Sequence, residues 1–151
     1  VTEPVRFQVL GIDPGGTTGL ASYNQKLWDV RQLPANEVAA YVRQWIDWPV
    51  PADLHVVCER FVPSARTLSF QPDALELIGY TRYLCQEKGI DFSLQSPAPA
   101  KKLFPNTLLK TIGAYRQSTP HGLDAARHVA LWMHSNQPGI LRGLKQGKSD
   151  D

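Results

Sequence analysis

Three acidic residues of the 151-residue chain stand where a carboxylate has chemistry to do. Asp13 ends the apolar run of residues 5–12 and opens Pro14-Gly15-Gly16, and Glu59 ends the apolar run of residues 54–58. A charge at the end of a buried strand must be solvated, paired or metal-bound, because burying a lone carboxylate is very unfavourable. Asp124 lies in His121-Gly122-Leu123-Asp124-Ala125-Ala126-Arg127-His128, where spacings of three, four and seven put His121, Asp124 and His128 on one helical face. Hard carboxylate oxygens with at most one imidazole suit Mg²⁺ or Mn²⁺. Each residue alone also fits an ordinary role. Asp13 fits a turn before Pro-Gly, Glu59 a pair with Arg60 or Arg66, and Asp124 a charge favoured at a helix N-terminus. His128 alone fits a satisfied surface or core histidine. Their joint occurrence is what points to a site.

The elements that must carry these residues can be read from pattern. Residues 5–12 form a β-rich run into a tight turn, and residues 18–23 and 26–31 follow as strands around a turn at Asn24-Gln25. Val38, Val42, Trp45 and Ile46 recur at helical spacing over residues 35–47, with Pro49 and Pro51 as stops. Residues 54–61 form a fourth strand, continuously apolar up to Glu59 as a central parallel strand should be. A helix over residues 73–88 closes on Gly89, residues 90–94 form a short fifth strand, and short helical pieces fall between 98 and 112. Thr119-Pro120 opens a last helix to about residue 134. The pattern gives an α/β fold with a mixed five-stranded sheet, its first three strands antiparallel, covered by helices. If the first and fourth strands are parallel neighbours, Asp13 and Glu59 emerge together at the carboxyl edge, where open α/β sheets place their sites. The expected organisation is one domain over residues 1–136, with a flexible tail of little to bury over 137–151.

Bulk properties narrow the class. A 42% hydrophobic and 20% charged composition is ordinary for a soluble globular protein. No apolar stretch approaches the roughly 18–20 residues of a membrane span, and no secretory signal pattern opens the sequence. Cys58 and Cys85 sit in apolar neighbourhoods without metal-type spacing, which reads as two buried thiols of a cytoplasmic protein. The net charge of +2 is unevenly spread: residues 1–96 hold 8 Lys+Arg against 11 Asp+Glu, and residues 97–151 hold 8 against 3. The basic second half suits a polyanion partner, or a solvated basic surface.

Gly11-Ile12-Asp13-Pro14-Gly15-Gly16-Thr17-Thr18-Gly19 resembles the opening motif of RuvC-type Holliday junction resolvases, in the RNase H-like superfamily. Val56-Val57-Cys58-Glu59-Arg60-Phe61 is similar to their second acidic strand, and His121-x-x-Asp124-Ala125-Ala126-x-His128 to their closing helix, especially in phage-encoded members. The resemblance implies a ribonuclease H fold with helices on both faces of the sheet, in a protein of the bacterial cytoplasm. It implies that Asp13, Glu59 and Asp124 bind metal, with His121 as fourth ligand and His128 as the alternative. Two Mg²⁺ or Mn²⁺ ions would then activate a water and stabilise the leaving 3′ oxygen, with Asp13 between them. It further implies phosphate contacts from Lys101, Lys102 and Lys110, joined by Arg66, although a glycine-rich segment with a following Lys is not evident. Phe61, or Phe70 in the same loop, is the aromatic candidate to engage unpaired bases, and Phe61 fits a core role equally. The implied substrate is branched DNA, with four-way junctions first and flaps second. Paired cuts on a four-way junction call for a homodimer, for which the helix around residues 75–84 is one candidate interface, its apolar face fitting the core as well.

Two other classes are open to the same residues. Asp-x-Gly-Gly-Thr-Thr also resembles the phosphate-binding turn of actin-like sugar kinases, which need a second such domain that this length does not provide. A catalytically idle nucleic-acid-binding module on the same fold is the other, though clustered carboxylates without metal add nothing to a DNA surface.

Overall fold

A computed structural model describes residues 7–47, 53–62 and 72–147. In chain order the elements are β1 (Gln8–Asp13), β2 (Thr17–Asn24), β3 (Leu27–Pro34), α1 (Ala35–Asp47), β4 (Leu54–Glu59), α2 (Pro72–Lys88), β5 (Asp91–Gln95), α3 (Pro97–Leu103), α4 (Asn106–Ile112), α5 (Pro120–Asn136) and α6 (Pro138–Lys145). The strands form one sheet in the order β3-β2-β1-β4-β5. β1 pairs antiparallel with β2 and parallel with β4, β2 antiparallel with β3, and β4 parallel with β5. The mixed sheet is the expected one.

β1 is central because it is apolar on both faces, and successive side chains alternate between them. Leu10 and Ile12 join Leu20, Val56 and Cys58 under α1 and α2, meeting Val38, Val42, Ile46, Leu77, Ile78 and Leu84. Val9 and Val57, with Ala21 and Tyr23, face the other way into a core with Leu123, Ala126, Val129, Ala130 and Met133 of α5 and with Phe104, Leu109 and Ile112. Most of the apolar face of α2 thus enters the core, leaving Leu75 and Tyr83 exposed. Cys58 and Cys85 are free and buried. No described helix is long and apolar enough to cross a membrane.

Two local readings change. The β2–β3 turn falls on Gln25 and Lys26, at φ 48° and 70°, one residue later than the expected Asn24-Gln25. Both positions hold the left-handed conformation that a two-residue hairpin turn demands. The segment beyond residue 136, expected as a tail with little to bury, contains the short helix α6, with Leu141 only 1% exposed in the α5-side core.

Three glycines set how α5 meets the sheet. A Cβ at Gly11 would lie 2.6 Å from the Ala125 carbonyl oxygen, one at Gly19 would lie 1.8 Å from that of His121, and one at Gly122 would lie 2.9 Å from that of Arg31. Without side chains at these points, the first turns of α5 rest directly on the strand backbones.

Candidate active site

The β1–β4 register pairs Ile12 with Cys58, so Asp13 and Glu59 come next on adjacent parallel strands. By alternation both lie on the face of Val9 and Val57, beneath α5. Asp13 is paired across the sheet with Gly19, whose missing side chain lets the start of α5 descend onto it. His121 Nδ1 thereby comes within 3.2 Å of Asp13 Oδ2. The turn after Asp13 is locked by Thr18, which is fully buried: its hydroxyl donates to the Gly15 carbonyl at 2.9 Å and accepts from the Gly15 N–H at 3.3 Å.

The electrostatics are those of crowded acids. Asp13 is 8% exposed. Its carboxyl is pushed up from 3.8 to about 6, chiefly by burial and then by the charge of Glu59, with Asp124 adding to it and His121 opposing. The other two acids have partners of their own. His128 Nε2 lies 2.8 Å from Glu59 Oε2, and Arg127 Nη1 donates to Asp124 Oδ1 at 2.9 Å. Arg127 also donates from Nε to the Phe104 carbonyl at 2.8 Å and bonds Asn106, tying α5 to the α3–α4 junction. These contacts engage one oxygen of each carboxylate.

Asp13, Glu59, His121 and Asp124 line one open cleft of about 490 Å³, together with residues 14–17, Arg60, Phe61, Val62, Ala74 and Pro97. Among the described residues no three His, Cys, Asp or Glu groups are gathered as a formed metal cluster. The donor set nonetheless fits a divalent cation. Three carboxylates and an imidazole face the same space, and Asp13, buried and beside two other acids, carries its charge at a cost that a cation would relieve.

The remaining expected residues divide. Phe61 serves both suggested roles' locations, lining the cleft while packing against the α1–α2 core. Lys101 and Lys102 are exposed on α3, and Lys110 on α4 holds its ammonium 4.7 Å from the centre of the Tyr115 ring. None of these three lysines lines the cleft. Arg66 and Phe70 lie outside the described residues. His121, Asp124 and His128 share a helix but not a depth: His121 is at the rim, Asp124 half-buried and His128 1% exposed. Sequence reading missed Thr18, Arg127 and Gln95. Only Thr18 left a signal, as a hydroxyl two residues after the Gly15-Gly16 pair.

No family model and no curated protein matches the chain. Among solved structures, the RuvC of T. thermophilus in complex with Holliday junction substrate is 17% identical, with TM-score 0.58, over 86% of this chain and 96% of that one. A second Thermus thermophilus RuvC structure is 18% identical, with TM-score 0.55, over 86% and 97%. With this coverage, and with the mixed sheet whose first three strands are antiparallel, the chain has the RNase H-like fold of these RuvC structures.

Proposed function

We propose that the protein is a metal-dependent endodeoxyribonuclease acting on branched DNA, with the four-way Holliday junction as its substrate. One observation carries the reading: carboxylates from β1, β4 and α5 face a single open cleft, where burial first and the neighbouring acids second raise the carboxyl pKa of Asp13. The RuvC solved in complex with a Holliday junction substrate, which shares this fold, supports the choice of DNA.

Asp13, Glu59, Asp124 and His121 would hold Mg²⁺ or Mn²⁺, two ions being expected. Such ions, when bound, lower the pKa of water and stabilise charge on the leaving oxygen. The chain's own residues supply the rest. Asp13, flanked by both other acids, concentrates negative charge at the floor of the cleft. His121, with its side chain 48% exposed at the rim, adds an imidazole to the carboxylates and places Nδ1 within 3.2 Å of Asp13 Oδ2. Exposed basic residues on α3, α4 and α6 are available to hold neighbouring phosphates. The products are nicks with 5′-phosphate and 3′-hydroxyl ends. Paired nicks on opposite strands require a homodimer, with one cleft for each strand.

A binding module without catalysis is the second reading, favoured by the ion pair of Arg127 with Asp124 and the contact of His128 with Glu59, which compensate two of the acids. The test is to incubate the protein with labelled four-way junctions, flaps and linear duplex in Mg²⁺, Mn²⁺ or EDTA. Paired, ligatable nicks on junctions that vanish in EDTA are expected. Tight junction binding with no cutting in either metal would establish the idle module, and cutting in EDTA would overturn metal dependence.

A further inference from the structure

We infer that His128 and Gln95 are positioning residues for Glu59, forming a hydrogen-bonded chain, centred on the buried His128 ring, that fixes how its carboxylate faces the cleft. The inference rests on reading that cleft as a divalent-cation site. His128 is 1% exposed, and each of its ring nitrogens has a partner: Nε2 is 2.8 Å from Glu59 Oε2, and Nδ1 is 2.8 Å from Gln95 Oε1. Glu59 and Gln95 are register partners on parallel β4 and β5, so their side chains rise side by side from the sheet. His128 descends on both from α5, one helical turn beyond Asp124. The Arg60 N–H donates to the Gln95 carbonyl at 2.8 Å, which holds the two strand ends together just where Glu59 leaves the sheet.

The hydrogen-bond inventory decides the direction of the chain. A glutamine amide can present either its oxygen or its NH₂ to Nδ1. With the NH₂ there, a neutral imidazole accepts at Nδ1 and donates from Nε2 to Glu59. With the oxygen there, both nitrogens donate. In both arrangements Glu59 Oε2 receives an N–H, which leaves Oε1 for the cleft. A Glu side chain at a strand end has several rotamers to choose among, and one fixed hydrogen bond from a buried ring selects one of them. Metal-binding carboxylates that are held by such partners gain affinity because the ligand is already oriented. The same geometry argues against His128 as a ligand: its ring is 1% exposed, it does not line the cleft, and a cation on either nitrogen would displace Glu59 or Gln95, whereas His121 stands in the cleft lining.

The test compares wild type, His128→Phe, His128→Gln and Gln95→Leu by Mn²⁺ calorimetry and by the Mg²⁺ midpoint and saturating rate of junction cutting. His128→Phe should weaken Mn²⁺ binding by about 10- to 100-fold and raise the Mg²⁺ midpoint in parallel, with the saturating rate close to wild type. His128→Gln keeps an N–H at similar reach and should recover most of the affinity, and Gln95→Leu should fall between. A purely packing role would lower the unfolding midpoint and leave Mn²⁺ affinity unmoved. If His128→Phe fails to fold, His128→Asn, too short to reach Glu59, replaces it. Wild-type Mn²⁺ affinity in both the truncated variant and Gln95→Leu overturns the inference. So does a His128→Gln variant that loses Mn²⁺ as completely as Asp13→Asn, which would make the ring a ligand. Failure of the wild type to bind Mn²⁺ or cut any junction overturns the proposed function itself, a result separable from the other two.

Discussion

Asp13 concentrates the tension of the site in one side chain. Its carboxyl is raised from 3.8 to about 6 by burial first and by Glu59 second. A folded pKa above the unfolded one means that the folded state binds a proton more tightly. The stability this contributes is therefore full below pH 3.8 and is lost as pH rises through about 6. The difference corresponds to on the order of 3 kcal/mol at 1.36 kcal/mol per pH unit. Asp13→Asn removes the burden. Metal-free Asp13→Asn should thus be more stable than wild type at pH 7.5, by up to that amount, and the gain should vanish near pH 3.5. Urea unfolding at the two pH values, in EDTA, checks this. A variant less stable than wild type at pH 7.5 would mean that the His121 contact outweighs burial and repulsion together.

The elements explain why the acids meet at all. α5 reaches Asp13 because Gly19 has no side chain to hold it off, so Gly19→Ala should displace the helix N-terminus and destabilise the fold by about 1–3 kcal/mol. Cleavage should drop further than stability alone requires, since His121 and Asp124 move with the helix. Gly79, in the middle of α2 with nothing within 4 Å of an added Cβ, is the matched control. Gly79→Ala should stabilise by about 1 kcal/mol and leave cleavage unchanged. Denaturant midpoints and junction-cutting rates of the two variants check the contrast. The same elements show what was legible in the sequence. Asp13 and Glu59 could be placed because each ends an apolar run that only a central strand explains, and Asp124 because its helix has a clear period. The Glu59–His128–Gln95 chain could not be, because it joins residues 69 and 33 positions apart through a register that no local pattern encodes. α6 escaped because an eight-residue helix with one fully buried leucine leaves too few apolar positions to show a period.

Across the whole molecule, charge is segregated from chemistry. Lys101, Lys102, Lys110, Arg116, Arg142 and Lys145 are all exposed on the segment that follows β5, whose one described acid, Asp124, is turned into the cleft. Under the proposed function this arrangement suits a duplex backbone laid beside the cleft, with α6 as one candidate part of the binding surface. Replacing Lys101, Lys102 and Lys110 by Ala should weaken junction binding and flatten the salt slope by up to about 0.9 per lost phosphate contact. Arg142→Ala with Lys145→Ala should do the same if α6 touches DNA, and affinities across a salt series read both. Mn²⁺ binding should be unchanged in either set, since these side chains lie outside the cleft. The central claim is that the crowded carboxylates hold catalytic metal, and the most direct measurement is single-turnover cutting of a labelled four-way junction by wild type and Asp13→Asn. In saturating Mg²⁺ the wild type should cut symmetrically and Asp13→Asn should bind the junction yet leave it intact. Equal cutting by the two proteins, or cutting by the wild type in EDTA, would contradict the account.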